Sequence, residues 1–147
     1  MHFVTGGAFN GKRAWVKDKY ADAKWISSYD GQSLPETLEN VSSQQIVLEG
    51  VELWTKECSE RMGIDKARVH LNKQLDQWLE WENANANRSI ITIGADMMKG
   101  IVPIKKEERD WRDLTGWFYQ DLVKKSKRVD VIWYGINQTI KKGEVEK

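Results

Sequence analysis

The chain has 147 residues, 23 of them basic and 22 acidic, for a formal net charge of +1. That length suits one domain, 1–147, with a real core, and the charge balance leaves no field for gripping nucleic acid or an anionic membrane, so a bound anion must be held by local geometry. A single cysteine excludes an internal disulfide and a cysteine-based zinc site, and no apolar run approaches the roughly 18 to 20 residues of a membrane span.

The N-terminus lacks the basic start and long apolar run of a signal peptide, which predicts a cytoplasmic protein. His2-Phe3-Val4-Thr5 is β-prone and ends at glycines, as a first strand would. Residues 12–22 read as a helix with Ala14, Trp15 and Val16 on its buried side, and 24–28 as a second strand. YDGQS (29–33) is turn chemistry, after which Pro35 can open a short helix over 36–38. The continuous apolar run Ile46-Val47-Leu48 ends in Glu49 and suggests a strand covered on both faces.

A long helical region follows, with Ala67, Leu71, Leu75, Trp78, Leu79 and Glu82 at helical spacing, broken by NANAN (83–87). Residues 89–93 form another β-branched run, 105–127 is strongly helical, 129–135 reads as a last strand and the tail GEVEK as frayed. Strands alternating with helices predict an α/β fold with a mostly parallel sheet. The eight tryptophans are expected in cores or subunit contacts.

Between the first strand and the first helix lies GGAFNGKR, in which Gly6, four residues, Gly11 and Lys12 have the spacing of a phosphate-cradling loop. Glycines let the backbone curl so that N–H groups point inward, and the following helix adds its positive N-terminal end. The candidate nucleotide-binding residues are Gly6, Gly7, Ala8, Phe9, Asn10, Gly11, Lys12 and Arg13. Arg13 stands where a Ser or Thr hydroxyl ordinarily helps hold Mg²⁺. A guanidinium has no lone pair to give a metal, so Arg13 reads either as a bidentate phosphate contact or as an exposed helix-start arginine.

Two acids stand at predicted strand ends, where open α/β sheets bind ligands: Glu49 and Asp96. Lys12, Glu49 and Asp96 are therefore the candidate catalytic residues, with Glu49 holding a metal's waters or accepting a hydroxyl proton. Either acid could instead be an ordinary solvated strand-end residue. His2 reads as packed or frayed, His70 as a partly exposed helix residue and Cys58 as a quiet helix thiol.

From Gly94 to Pro103 the sequence resembles the adenosylcobinamide kinase/adenosylcobinamide-phosphate guanylyltransferase family of cobalamin assembly. That family has a similar acid-containing stretch ending in Gly-Ile-Val-Pro, then a helix with Arg-Asp, Gly and Gln, matched here by Arg112-Asp113, Gly116 and Gln120, and a closing Gly-Ile matched by Gly135-Ile136. Thr5-Gly6-Gly7-Ala8 resembles its opening, and Leu48-Glu49 with Leu53-Trp54 its acid-bearing strand; the likeness covers 1–22, 45–55 and 90–137. It implies a P-loop α/β domain, often trimeric. The substrates it implies are a nucleoside triphosphate (GTP or ATP) with Mg²⁺ and the aminopropanol hydroxyl of adenosylcobinamide, a corrinoid alcohol.

The family then transfers GMP through a guanylylated histidine lying between the loop helix and the acid-bearing strand. Here the segment 24–45 is shorter and holds no histidine, Arg13 replaces the hydroxyl, and Ala95 stands where the family has Asn beside its acid. Three functions remain to be separated: a kinase that keeps phosphoryl transfer to a corrinoid alcohol, a nucleotide-binding regulatory or partner subunit without turnover, and a scaffold with an empty pocket.

Overall fold

The computed structural model describes residues 1–7, 9–97 and 105–143. In chain order the elements are β1 (His2–Gly6), α1 (Lys12–Lys19), β2 (Lys24–Ser27), a 3₁₀ turn (Ser28–Asp30), β3 (Gln45–Glu49), α2 (Val51–Met62), α3 (Ile64–Asn83), β4 (Ser89–Ala95), α4 (Lys106–Lys125), β5 (Arg128–Trp133) and β6 (Ile136–Lys141). They build one six-stranded sheet in the order β2-β3-β4-β1-β5-β6. All neighbours run parallel except β6, which is antiparallel to β5. The α/β architecture with a mostly parallel sheet flanked by helices is the one expected.

The apolar strand runs are continuous because both faces of the sheet are covered. Phe3, Ile46, Leu48, Ile90 and Val129 face α2, α3 and α4, joining Trp54, Leu71, Leu75, Trp78, Leu114, Phe118 and Leu122 in the larger core. Their strand neighbours Val4, Val47, Ile91 and Ile132 point the other way, onto Val16, Trp15 and Tyr20. The second face is thus served by the eight-residue α1 alone among the helices described. Of α1's three expected inward residues, only Val16 is buried; Trp15 is half-buried and Ala14 exposed, since the helix ends at Lys19 and lies along one turn of contact.

Four local expectations are corrected. Residues 36–38 form no helix. Trp54 Nε1 donates to Gln32 O and Trp78 Nε1 to Pro35 O, both at 2.9 Å, while Gln74 Nε2 reaches Glu36 O at 3.2 Å. Side chains of α2 and α3 hold these carbonyls, and Leu38 is drawn into the core at 2% exposure. The long helical region is two helices, α2 and α3, parted at Gly63. The last predicted strand ends at Trp133, because Tyr134 and Gly135 turn with φ of 48° and 77°, the two-residue hairpin geometry that suits twisted strands. That hairpin leads into β6, an edge strand the sequence reading did not expect. The apolar stripe of α3 is as expected, with Glu82 buried on it beside Ala67, Leu71, Leu75 and Trp78.

Candidate functional site

Parallel pairing brings the carboxyl ends of β1, β3 and β4 to one edge of the sheet. Gly6 pairs with Ala95 and Glu49 with Ile93, so the glycine loop, Glu49 and Asp96 emerge side by side. The loop is fixed by backbone contacts. Asp96 N donates to Gly6 O at 2.8 Å, Asn10 N to Gly7 O at 3.4 Å, and Gly135 N to Asn10 O at 2.8 Å, which ties the loop to the β5–β6 turn. Gly6 has φ of 148°, and a Cβ there would lie 2.4 Å from the Ile132 carbonyl oxygen, so no side chain fits. Phe9, at φ 61°, points fully into solvent. Ala8, among the expected binding residues, and Gly100–Pro103 of the family-like motif lie outside the described residues.

Lys12 opens α1 and is 9% exposed. Its Nζ donates to Gly7 O at 2.8 Å. Burial lowers the pKa of this ammonium, and the carboxylates of Glu52, Glu49 and Asp96 oppose that shift. Lys12, Glu49 and Asp96 are therefore brought together as the sequence suggested. Asp96 is exposed at the end of β4, whereas Glu49 is buried at 3%.

Glu52 is the carboxylate that sequence reasoning missed. Gly50, at φ 82°, turns the chain sharply from β3 into α2, so the first turn of α2 faces the site. Glu52 is 6% exposed; its Oε1 accepts from Ala95 N at 3.0 Å and its Oε2 from the Tyr29 hydroxyl. Burial and that carboxylate push the Tyr29 phenol well above the ordinary tyrosine value. The signal available was position alone: an acid in the first helical turn after a strand's carboxyl end.

Lys12, Glu49, Glu52 and Tyr29 line a cavity of about 870 Å³, within the size range of small-ligand sites, while Asp96 lines a second cavity with Gly6, Tyr119 and Gln120. Lys12, Arg13 and Lys17 of α1 form the cationic wall of the first cavity, and Glu49, Glu52 and Tyr29 stand across from them. Such a site can receive a polyanionic ligand against the loop amides and Lys12.

A divalent cation, which loops of this kind ordinarily use, does not fit the donors present. Glu49 Oε1 accepts from Ser27 Oγ at 2.6 Å and its Oε2 faces Arg13 Nε at 3.2 Å, so Glu49, expected to hold a metal's waters, holds a guanidinium instead. Among the described residues, no group of three His, Cys, Asp or Glu could hold a metal ion.

The histidines stand apart from the site. His2 is packed at the opposite, amino end of the sheet, its Nε2 donating to Asp130 at 2.5 Å. His70 is half-buried on α3, and Cys58 is a buried free thiol whose pKa burial raises. No described helix is long and apolar enough to cross a membrane.

No curated protein matches the chain. A family model described as "Cobinamide kinase / cobinamide phosphate guanyltransferase" matches residues 16–140. The match begins beyond the glycine loop, so the likeness of that loop to a phosphate site rests on its own residues and geometry. It spans β2 through β5, including β3, α2 and β4, the elements that position Glu49, Glu52 and Asp96. With the greater part of its length matched, the chain belongs to the cobinamide kinase/cobinamide phosphate guanyltransferase family of cobalamin biosynthesis.

Proposed function

We propose that the protein binds a nucleoside triphosphate, GTP or ATP, on the loop 6–13 and transfers its terminal phosphoryl group to the hydroxyl of a corrinoid alcohol of the adenosylcobinamide class. The observation that carries this reading is a buried lysine ammonium at the foot of a glycine loop, faced by carboxylates from three separate elements. The loop amides and Lys12 neutralise the phosphates, Lys12 exchanging the Gly7 carbonyl for a phosphate oxygen. The acceptor oxygen forms a bond to the terminal phosphorus as the bond to the bridging oxygen breaks, and the nucleoside diphosphate leaves. Asp96, exposed at the end of β4 beside the loop, takes the hydroxyl proton. Glu49 acts through Arg13, holding its side chain against the cavity wall.

Guanylyl transfer is left out of the proposal because the family route needs a histidine in the segment 24–45, which has none. The Arg13–Glu49 pair favours a second reading, a nucleotide-binding partner subunit without turnover, since it occupies the acid that would otherwise serve a metal. Incubating the protein with adenosylcobinamide and GTP or ATP labelled in the terminal phosphate separates the two. Label in the corrinoid, abolished by Lys12→Ala and reduced on the order of a hundredfold or more by Asp96→Asn, supports the kinase. Nucleotide binding without transfer of label supports the partner subunit.

A further inference from the structure

We propose that Arg13 is the resident cation of the phosphate site, so that this protein binds nucleoside triphosphates without a divalent metal. The inference rests on the phosphate-binding reading of the loop and deepens it. It starts from the disagreement between the donor set and a metal. Glu49 is 3% exposed, and a buried carboxylate must be neutralised by some partner. Both its oxygens are engaged, one by Ser27 Oγ at 2.6 Å and the other by Arg13 Nε at 3.2 Å. The charge a metal would bring to this acid is already supplied by the chain.

The guanidinium is also placed to meet a ligand. Arg13 follows Lys12 directly in the first turn of α1, lines the same cavity, and has its side chain half exposed. Its Cζ lies 5.5 Å from the centre of the Trp25 ring, which limits the directions the side chain can take. Nε is turned to Glu49 and one Nη lies 3.9 Å from Asp30 Oδ2. A guanidinium carries five N–H donors. Arg13 can therefore keep Glu49 through Nε while its outer nitrogens donate to phosphate oxygens, with Lys12 on the adjacent side.

The test is equilibrium titration of the full chain with ATP and with GTP, each in excess Mg²⁺ and in EDTA. For the unaltered protein the dissociation constant is expected to agree within about twofold between the two media. Arg13→Ser removes the cation and frees one oxygen of Glu49. It is expected to weaken binding in EDTA by about tenfold or more, with Mg²⁺ restoring part of the loss. Arg13→Lys keeps the charge without the fork and should fall between them, with circular dichroism reporting that both variants fold. Tenfold weaker binding of the unaltered protein in EDTA overturns the proposal and leaves the nucleotide site standing. So does an Arg13→Ser variant that binds in EDTA as the parent does. Binding of neither nucleotide in either medium overturns the phosphate-site reading and this proposal with it.

Discussion

Lys12 shows how the site is poised electrostatically. Burial works against its charge, and the largest of the opposing influences is Glu52. That carboxylate helps keep the ammonium protonated, but it also faces any phosphate entering the cavity that both residues line. Glu52→Gln keeps an acceptor for Ala95 N through its amide oxygen and turns the Tyr29 contact round, the amide NH2 donating to the phenol oxygen, while removing one negative charge. Triphosphate affinity should then rise, on the order of threefold to tenfold at an effective dielectric near 20, measured by titration at constant ionic strength. Unchanged or weaker binding would show that Glu52 serves the ligand only through its hydrogen bonds. The loop, Glu49 and Asp96 could be found from the sequence because glycine spacing and strand-end acids are local signals. Glu52 and the Arg13–Glu49 pair could not. An acid in a helix reads as solvated until the strand before it is known to end at the site. Positions 13 and 49 meet only because β2 and β3 pair beside α1.

Among the elements, α2 and α4 are joined by a buried polar contact whose direction is decided by counting protons. Thr55 Oγ1 donates its only proton to Glu52 O at 2.8 Å, so in the 2.6 Å contact between the two threonines Thr115 Oγ1 is the donor. Thr55→Val strands the Thr115 proton in the core, whereas Thr115→Val leaves the Thr55 proton satisfied. Both residues are at most 1% exposed. The first substitution should cost about 1–3 kcal/mol and the second less than about 1 kcal/mol, as read from urea midpoints; equal costs would contradict the assigned direction. The elements themselves were largely legible, since apolar runs such as Ile46-Val47-Leu48 and the stripe of α3 are one-dimensional signals of burial. Lateral order was not, because nothing in β4's own residues says that it lies between β1 and β3. β6 escaped for a related reason. Its Ile136 and Ile140 are exposed, and what holds it is pairing with β5 and the reach of Asn137 and Thr139 to Asp130. Residues 36–38 went the other way, because their surroundings offered the carbonyls partners that a lone segment lacks.

At the scale of the molecule the two ends of the sheet are built for opposite purposes. The carboxyl ends open onto the cavity, while the amino ends close over a charged network that ties the first residues to the last strands. The Met1 amine meets Glu82 at 2.7 Å, and the Glu82 carboxylate also accepts from Ile90 N at 2.7 Å. His2 donates from Nε2 to Asp130 and accepts at Nδ1 from the Tyr20 hydroxyl, the arrangement of a neutral imidazole. Burial, with the charges of Arg128 and Lys19, lowers the His2 pKa from 6.5 to about 4 against the pull of Asp130. Burial alone would raise the Asp130 pKa, but hydrogen bonds from Thr139, Arg128, Asn137 and His2 outweigh it and hold the carboxyl at about 2. Both folded values lie below their unfolded counterparts, so in each window the unfolded chain binds the proton first and stability falls as pH falls. The His2 contribution is complete above about pH 6.5 and is lost by about pH 4, a loss of about 3 kcal/mol. Asp130 extends the decline from about pH 4 toward 2. His2→Gln retains polar contacts without titrating there, so the difference between its urea-unfolding profile and that of the parent should slope between pH 6.5 and 4 and be flat above. A difference that stays flat through that window would mean the imidazole is already charged in the native protein. The network would then be an ion pair between His2 and Asp130 in place of a neutral ring beside an anion. Neither outcome should alter nucleotide binding near neutral pH, because the network and the cavity lie at opposite ends of the same strands.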